Sequence, residues 1–205
     1  MQLTKELAYL LGALRDGSVL RYKEKNGKVH HYVCVYNKNT EWLKEISRIF
    51  EVLFDKKPCF SDPRKGTPYT RIYSKEITEA FQRQFQHPLT SQITWRTPKK
   101  IISARNETQK HYIAGFWDAE GGQDKVTGQI RFHLSWNGME CPPLEDIKRM
   151  LKRQGIKTGK VRRYSNKSGR YPRFVLRILK KDNKTFFEKI PIRNISKKIG
   201  NLTAK

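Results

Sequence analysis

Tyr112-Ile113-Ala114-Gly115-Phe116-Trp117-Asp118-Ala119-Glu120-Gly121 is the stretch on which the fold turns. It is apolar nearly all round, carries small residues at Ala114, Gly115 and Ala119, and ends on an acid followed by glycine. The pattern predicts a helix stopped at Glu120-Gly121, glycine being a common residue after the last helical turn. A helix without a polar face wide enough for water needs an apolar partner. The same chain offers one in Leu7-Ala8-Tyr9-Leu10-Leu11-Gly12-Ala13-Leu14-Arg15-Asp16-Gly17, a second apolar run ending at Asp-Gly.

The segments after the two runs also match, which is the mark of an internal repeat. Residues 19–36 split at Asn26-Gly27 into two strand-like segments, and residues 125–136 split at Thr127-Gly128. Asn-Gly between apolar-polar alternations is a hairpin signal. An amphipathic helix comes next in each half, Thr40–Phe54 and residues 142–154, the latter with Leu144, Ile147, Met150 and Leu151 at helical spacing. A second hairpin is predicted over residues 59–73, turning near Pro63-Arg64-Lys65-Gly66, and over 160–179, turning at Asn166-Lys167-Ser168-Gly169. Helices over 75–86 and 183–190 close the halves. The reading is α+β, two pseudo-symmetric αββαββα half-domains at 1–87 and 109–205 joined by a linker at 88–108, with the two apolar helices packed at the interface.

Charge narrows the function. The 205 residues hold 43 Lys and Arg against 19 Asp and Glu, a net +24. Residues 160–205 alone contain 15 basic and two acidic side chains. Such a field attracts polyanions, and nucleic acid is the leading partner. A membrane surface fits less well, because the charges lie among aromatics on strand-like segments and not along one helix face. No apolar stretch approaches the roughly 20 residues of a membrane span, and Met1 leads almost directly into a helical pattern without a signal-peptide signature. Cys34, Cys59 and Cys141 are scattered and odd in number, as expected of reduced thiols in an intracellular protein, cytoplasmic or associated with the nucleoid. The five histidines show no ligand spacing, and neither a Ser-His-Asp arrangement nor a phosphate-binding P-loop is present.

Residues 113–121 resemble the signature of the LAGLIDADG homing endonucleases, and the two-repeat layout resembles the single-chain members encoded in archaeal introns. The resemblance implies a saddle whose antiparallel sheets lie on DNA. It makes Gly12, Ala114, Gly115 and Ala119 the seam that lets two helices approach backbone to backbone. Asp16 and Glu120 then become a catalytic pair at the helix tips, with the Gly17 and Gly121 carbonyls beside them as metal ligands. Two carboxylates so close raise each other's pKa, and a divalent cation between them relieves this. Mg2+ is the implied ion, with Mn2+ substituting and Ca2+ binding without supporting cleavage. The first run departs from the signature. Five residues follow Gly12 through Gly17 where six follow Gly115. Either Gly12 is the packing glycine and Asp16 arrives about 100° early, or Asp16 matches Glu120 and Leu11 occupies a small-residue position.

The resemblance also implies polar residues at the strand ends that organise metal-bound water and stabilise the phosphorane. Asn37, Lys38 and Asn137 fill that description, with Lys125 standing in for a lysine absent at Gly138. A purely structural role, ending strands and capping the next helices, is open for Asn37 and Asn137. Alternation puts Gln129, Arg131, His133 and Ser135 on one face and Ile130, Phe132, Leu134 and Trp136 on the core face. A two-stranded ribbon fits the major groove, so the first set is expected to meet DNA. In the first half Arg21, Lys23 and Lys25 are expected to share a DNA face with His30 and Tyr32. Arg71, Arg162, Tyr164, Arg170, Arg173 and Arg177 extend these surfaces, many through phosphates. The expected protein is a monomeric site-specific endonuclease cutting a long asymmetric duplex to short 3′ overhangs. The alternative is the same fold serving as an RNA maturase for its host intron, or as a DNA-binding protein that has lost cleavage.

Overall fold

The structure is a computed structural model that describes residues 1–61, 66–89, 92–165 and 170–199. The turns expected at Pro63-Arg64-Lys65 and Asn166-Lys167-Ser168-Gly169 lie outside these residues. The first half runs α1 (Lys5–Ala13), β1 (Gly17–Lys23), β2 (Val29–Tyr36), α2 (Thr40–Phe54), β3 (Cys59–Phe60), β4 (Tyr69–Tyr73) and α3 (Lys75–Phe85). After a short α4 (Lys99–Ile102) the order repeats as α5 (Asn106–Glu120), β5 (Gly121–Gln123), β6 (Ile130–Ser135), α6 (Pro142–Arg153), β7 (Arg162–Tyr164), β8 (Arg173–Arg177) and α7 (Asn183–Lys189). A final turn, α8 (Ile195–Ile199), has no counterpart in the repeat. Each half carries one antiparallel sheet, ordered β1-β2-β4-β3 and β5-β6-β8-β7.

Local signals account for most element ends. Thr4 caps α1 by accepting the Leu7 N–H, Asn39 caps α2 through Glu41 and Trp42, and Ser74 caps α3 through Ile77. Gly27 and Gly128 turn their hairpins at φ +88° and +68°, which glycine adopts without a Cβ penalty. The second hairpin begins earlier than expected. β5 starts at Gly121, and Lys125 falls in the turn. The glycines after the motif helices do not act as left-handed stops: Gly17 and Gly121 have φ of −144° and −91° and open strands. They are required for space. A Cβ on Gly17 would sit 2.5 Å from the Cys34 carbonyl oxygen, and one on Gly121 would sit 2.2 Å from the Trp117 ring.

α1 and α5 form the centre. Leu7 through Arg15 are all buried, as are Tyr112 through Ala119. The helices meet at Gly12 and Gly115: a Cβ on Gly12 would lie 2.2 Å from the Tyr112 carbonyl oxygen, and one on Gly115 would lie 2.0 Å from that of Tyr9. Gly12 is therefore the packing glycine. The missing residue is absorbed beyond it, where Leu14–Asp16 tighten into a 3-10 turn. Three 3-10 residues rise about 6 Å and turn about 360°, against about 6 Å and about 400° for four α-helical ones. Asp16 thus reaches the helix tip by a change of pitch.

A buried polar chain ties the halves together. Trp42 Nε1 donates to the Tyr9 hydroxyl (2.7 Å), which donates to Asp118 Oδ2 (2.5 Å). The Arg193 backbone N–H also donates to Asp118 Oδ2 (2.8 Å), and the Arg193 guanidinium lies over the Tyr9 ring and pairs with Glu45 at 3.0 Å. Tyr9→Phe removes one donor and one acceptor from this sealed network. It is expected to cost about 1–3 kcal/mol, read as a lower urea midpoint at unchanged m-value.

The linker is more structured than its composition suggests. α5 begins at Asn106, and Trp95 is buried, with its Nε1 donating to the Phe85 carbonyl at 2.9 Å. Among the described residues no helix is long and apolar enough to cross a membrane. The three cysteines are free thiols.

Candidate active site and nucleic-acid interface

Asp16 ends the 3-10 turn that follows α1 and Glu120 ends α5, and both are partly buried. Burial, then the nearby Asp16 charge, pushes Glu120 up to about 7. Burial raises Asp16 to about 6 against the opposing pull of Lys197 and Asn37. Asn37 Nδ2 stands 3.5 Å from Asp16 Oδ2. Glu120 opens into a cleft of about 350 Å³ shared with Arg15, Gln92, Ile93, His133, Leu134, Ser135 and Arg173. Among the described residues no group of three or more His, Cys, Asp or Glu could hold a metal by itself. Two hard carboxylate donors, raised by desolvation and in Glu120 also by the Asp16 charge, suit a hard divalent cation. Of the two glycine carbonyls expected to assist, that of Gly121 is engaged by the Lys197 ammonium at 2.8 Å.

These shifts have a sign that can be measured. A carboxyl whose folded pKa is raised stabilises the fold below its unfolded value and loses that contribution as pH rises through the folded value. For Asp16 and Glu120 the loss begins near pH 4 and is complete once pH has passed the folded values near 6 and 7. His87 and His133, lowered to about 3 chiefly by burial, stay neutral in the fold but protonate in the unfolded chain below about 6.5, so they contribute a slope of opposite sign that the Glu120→Gln comparison cancels. In EDTA the native chain is therefore expected to lose stability relative to Glu120→Gln between about pH 4 and 7, with no further divergence above that. Millimolar Ca2+ is expected to remove the same contribution. An unchanged slope in Glu120→Gln would contradict this origin.

The other expected site residues fare unevenly. Lys38 is exposed next to Asn37. Asn137 is not the counterpart of Asn37. Gly17 pairs with Val35, so Asn37 lies two residues beyond that partner, whereas Gly121 pairs with Phe132, so the corresponding position is Leu134. Asn137 lies three residues further on, exposed, with its backbone N–H on the Ile93 carbonyl (3.3 Å). Lys125 is exposed in the β5–β6 turn, the wrong end of the strand for the helix tips. Two basic residues that the sequence reading missed stand there instead. The first is Arg15, fully buried, donating to the Trp95 carbonyl (2.5 Å) and to the Tyr112 hydroxyl (2.9 Å). The second is Lys197, on the end of α5. An arginine inside an apolar run is a visible signal; nothing in the sequence marks the lysine.

The second sheet presents the expected face. Arg131, His133 and Ser135 pair directly with Arg177, Val175 and Arg173, while Arg162 and Tyr164 pair with Val175 and Arg173, so all point the same way. Ile130, Phe132, Leu134 and Trp136 are buried on the other side. Arg177 donates to the Tyr164 hydroxyl (3.1 Å), and Arg131 pairs with Asp124 (3.2 Å). The Gln129 amide donates to the Ile178 carbonyl (3.0 Å), and the Arg170 guanidinium lies 5.5 Å from the Tyr171 ring centroid.

The first sheet requires a correction. Arg21 pairs with His31 and Lys23 with Val29, in the alternation of the core residues Val19 and Val33. They therefore lie on the face opposite His30, Tyr32 and Arg71, and Lys25 lies in the hairpin turn. The face that carries His30, Tyr32 and Arg71 is aromatic. Tyr22, His30, Tyr32, Tyr36, Tyr69 and Tyr73 share it, with the Arg71 guanidinium 4.2 and 4.3 Å from the Tyr32 and Tyr69 rings.

Two antiparallel sheets flanking a glycine-sealed helix pair, with carboxylates at both tips, define a two-repeat nuclease scaffold. Comparison with known proteins agrees. The family described as LAGLIDADG-like domain matches residues 107–191. The homing endonuclease I-ApeI of Aeropyrum pernix is 33% identical over 156 residues, covering 74% of this chain and 67% of that one. Among solved structures, I-DmoI in complex with DNA and Mn superposes with a TM-score of 0.70 at 22% identity, covering 92% of this chain and 97% of that one. I-WcaI bound to its DNA recognition sequence gives 0.61 at 17% identity, covering 98% and 88%. The chain belongs to the LAGLIDADG homing endonuclease family, a class of endodeoxyribonucleases.

Proposed function

We propose that this protein acts as a monomer with halves at 1–87 and 109–205, cutting both strands of a long asymmetric duplex and leaving short 3′ overhangs. The observation that carries the reading is the placement of Asp16 and Glu120, close enough for one charge to raise the other, between two groove-facing sheets. In this reading the carboxylates hold a divalent cation, Mg2+ or Mn2+, which when bound activates water and neutralises the departing oxygen. Asn37 orients Asp16. Arg15 and Arg173, beside Glu120 in the cleft, attract the scissile phosphate. The second sheet reads its half-site through Arg131 and Arg177, suited to guanine edges. The first does so through tyrosines and Arg71. The compartment is intracellular, where genomic DNA and reduced thiols coexist.

A target selected from randomised duplexes, placed in a supercoiled plasmid with Mg2+, tests this. Linear product supports the reading. Intact plasmid with retained binding would replace it by a DNA-binding or intron-RNA role. That alternative draws its support from the shortened first motif; the 3-10 turn that ends on Asp16 weighs against it.

Affinity for the selected duplex is expected to fall steeply with salt. With about six phosphate contacts, log K against log salt should slope near −5 on duplex DNA. Arg173→Ala should reduce the slope by about one. A slope near zero in the native chain would exclude a phosphate-held duplex.

A further inference from the structure

The two sheets carry different chemistry on their corresponding faces. In the second sheet Arg131, Arg162, Arg173 and Arg177 share one face. In the first, Arg71 is the only lysine or arginine among the described strand residues of the face that carries Tyr32. Rings fill the rest. Tyr22 stacks on His30 with 6.5 Å between centroids, His30 meets Tyr73 edge-on at 6.2 Å, and Tyr73 meets Tyr32 at 6.0 Å. Arg71 bridges Tyr32 and Tyr69, and Tyr69 meets Tyr36 at 5.8 Å. The row is continuous from the β1–β2 turn to the strand end at Asn37, beside Asp16. From His30 to Tyr36 the strand rises about 20 Å, the length of about six base steps of duplex.

Little on this row is left for polar contacts. Arg71 is pinned: its Nη1 donates to the Tyr73 hydroxyl (3.0 Å), and its Nε is buried and makes no hydrogen bond. The Tyr73 hydroxyl is engaged by the same bond. What the row offers a duplex is chiefly ring carbon, and it is accessible, with Tyr22 and Tyr73 54% and 48% exposed. Such rings give rigid contact area at a low entropic cost. A ring laid on a donor or acceptor of a base edge strips its water and returns no hydrogen bond. The thymine C5-methyl is the apolar group that a base edge presents in the major groove, and covering it removes apolar surface from water.

We infer that the first sheet is a thymine reader. Its aromatic row selects a half-site by covering C5-methyl groups, with Tyr22 and Tyr73 as specificity-determining residues, while the arginines of the second sheet select differently. The inference rests on this face lying in the major groove of the target, as the proposed function has it.

The test uses the full chain and its selected duplex in EDTA, with affinity read by fluorescence anisotropy. Thymines are replaced by uracil one half-site at a time, which removes the methyl and keeps every hydrogen-bonding group. In one half-site each replacement is expected to weaken binding about three- to fourfold, the fold-change of one buried methyl. In the other it should leave affinity close to native. Tyr22→Ala and Tyr73→Ala should each bind thymine and uracil targets alike at the positions their rings cover. Should Tyr73→Ala loosen the sheet by freeing Arg71, Tyr22→Ala alone decides. Indifference to uracil in both halves, equal penalties in both, or a penalty that survives in both variants would overturn the inference. So would a selected target lacking thymine in both half-sites. A chain that selects no duplex at all would instead sink the reading of this face as a DNA surface, and the inference with it.

Discussion

Gly115→Ala is expected to unfold the protein or to leave it at least about 4 kcal/mol less stable, well beyond an ordinary point substitution. The added methyl would sit 2.0 Å from the Tyr9 carbonyl oxygen and 2.9 Å from the Ala13 nitrogen, both backbone atoms of α1. Rotamer changes relieve a clash with a side chain. Here only a shift of one whole helix can do so, and around the contact both helices are buried on every side, from Leu7 to Ala13 and from Tyr112 to Ala119. The seam would open over its full length, and domains of this size have only about 5–15 kcal/mol to lose. Urea denaturation of Gly115→Ala beside an alanine change at exposed Val52 gives the comparison. A midpoint within error of native would show that α1 and α5 do not meet in this way.

Glu120→Gln is expected to leave DNA binding intact and to lower cleavage at least about a thousandfold, equivalent to about 4 kcal/mol of barrier. The amide is nearly the same size, so packing at the tip is preserved, but it cannot neutralise a bound cation. Asp16→Asn should behave likewise. Neither substitution should weaken DNA binding, because each removes a negative charge facing a polyanion. Single-turnover cleavage with gel retardation on the same duplex separates chemistry from binding. Native-rate cutting by either variant would remove that residue from the centre.

The scaffold is legible in sequence because its signals are local. Small residues at Gly12, Ala114 and Gly115, turn glycines at 27 and 128, caps at Asn39 and Ser74, and strict alternation from Gln129 to Trp136 each specify structure within a few positions. The misplaced residues depend on register between strands. Asn137 resembles Asn37 in type and in position at a strand end, yet pairing places it three residues past the equivalent point, because Trp136 continues the buried alternation of β6. Arg21 and Lys23 look like groove residues until β2 shows that they alternate with Val19. Lys197 is invisible in sequence because its partners are backbone carbonyls 76 to 80 residues away, and carbonyls carry no sequence signature. The pitch change at Leu14–Asp16 lies between these cases: the deletion is plain, while its remedy depends on how α1 meets α5.

The return of the C-terminal segment across the interface bears on recombining halves from different relatives. A chimera cut cleanly in the linker would separate Asn194 and Ser196 from Asn39, and Arg193 from Glu45, although each pair spans both halves. The transferable unit is therefore not a contiguous stretch of chain: whoever exchanges the second half must bring the α2 cap and Glu45 with it, or graft residues 190–199 from the original parent.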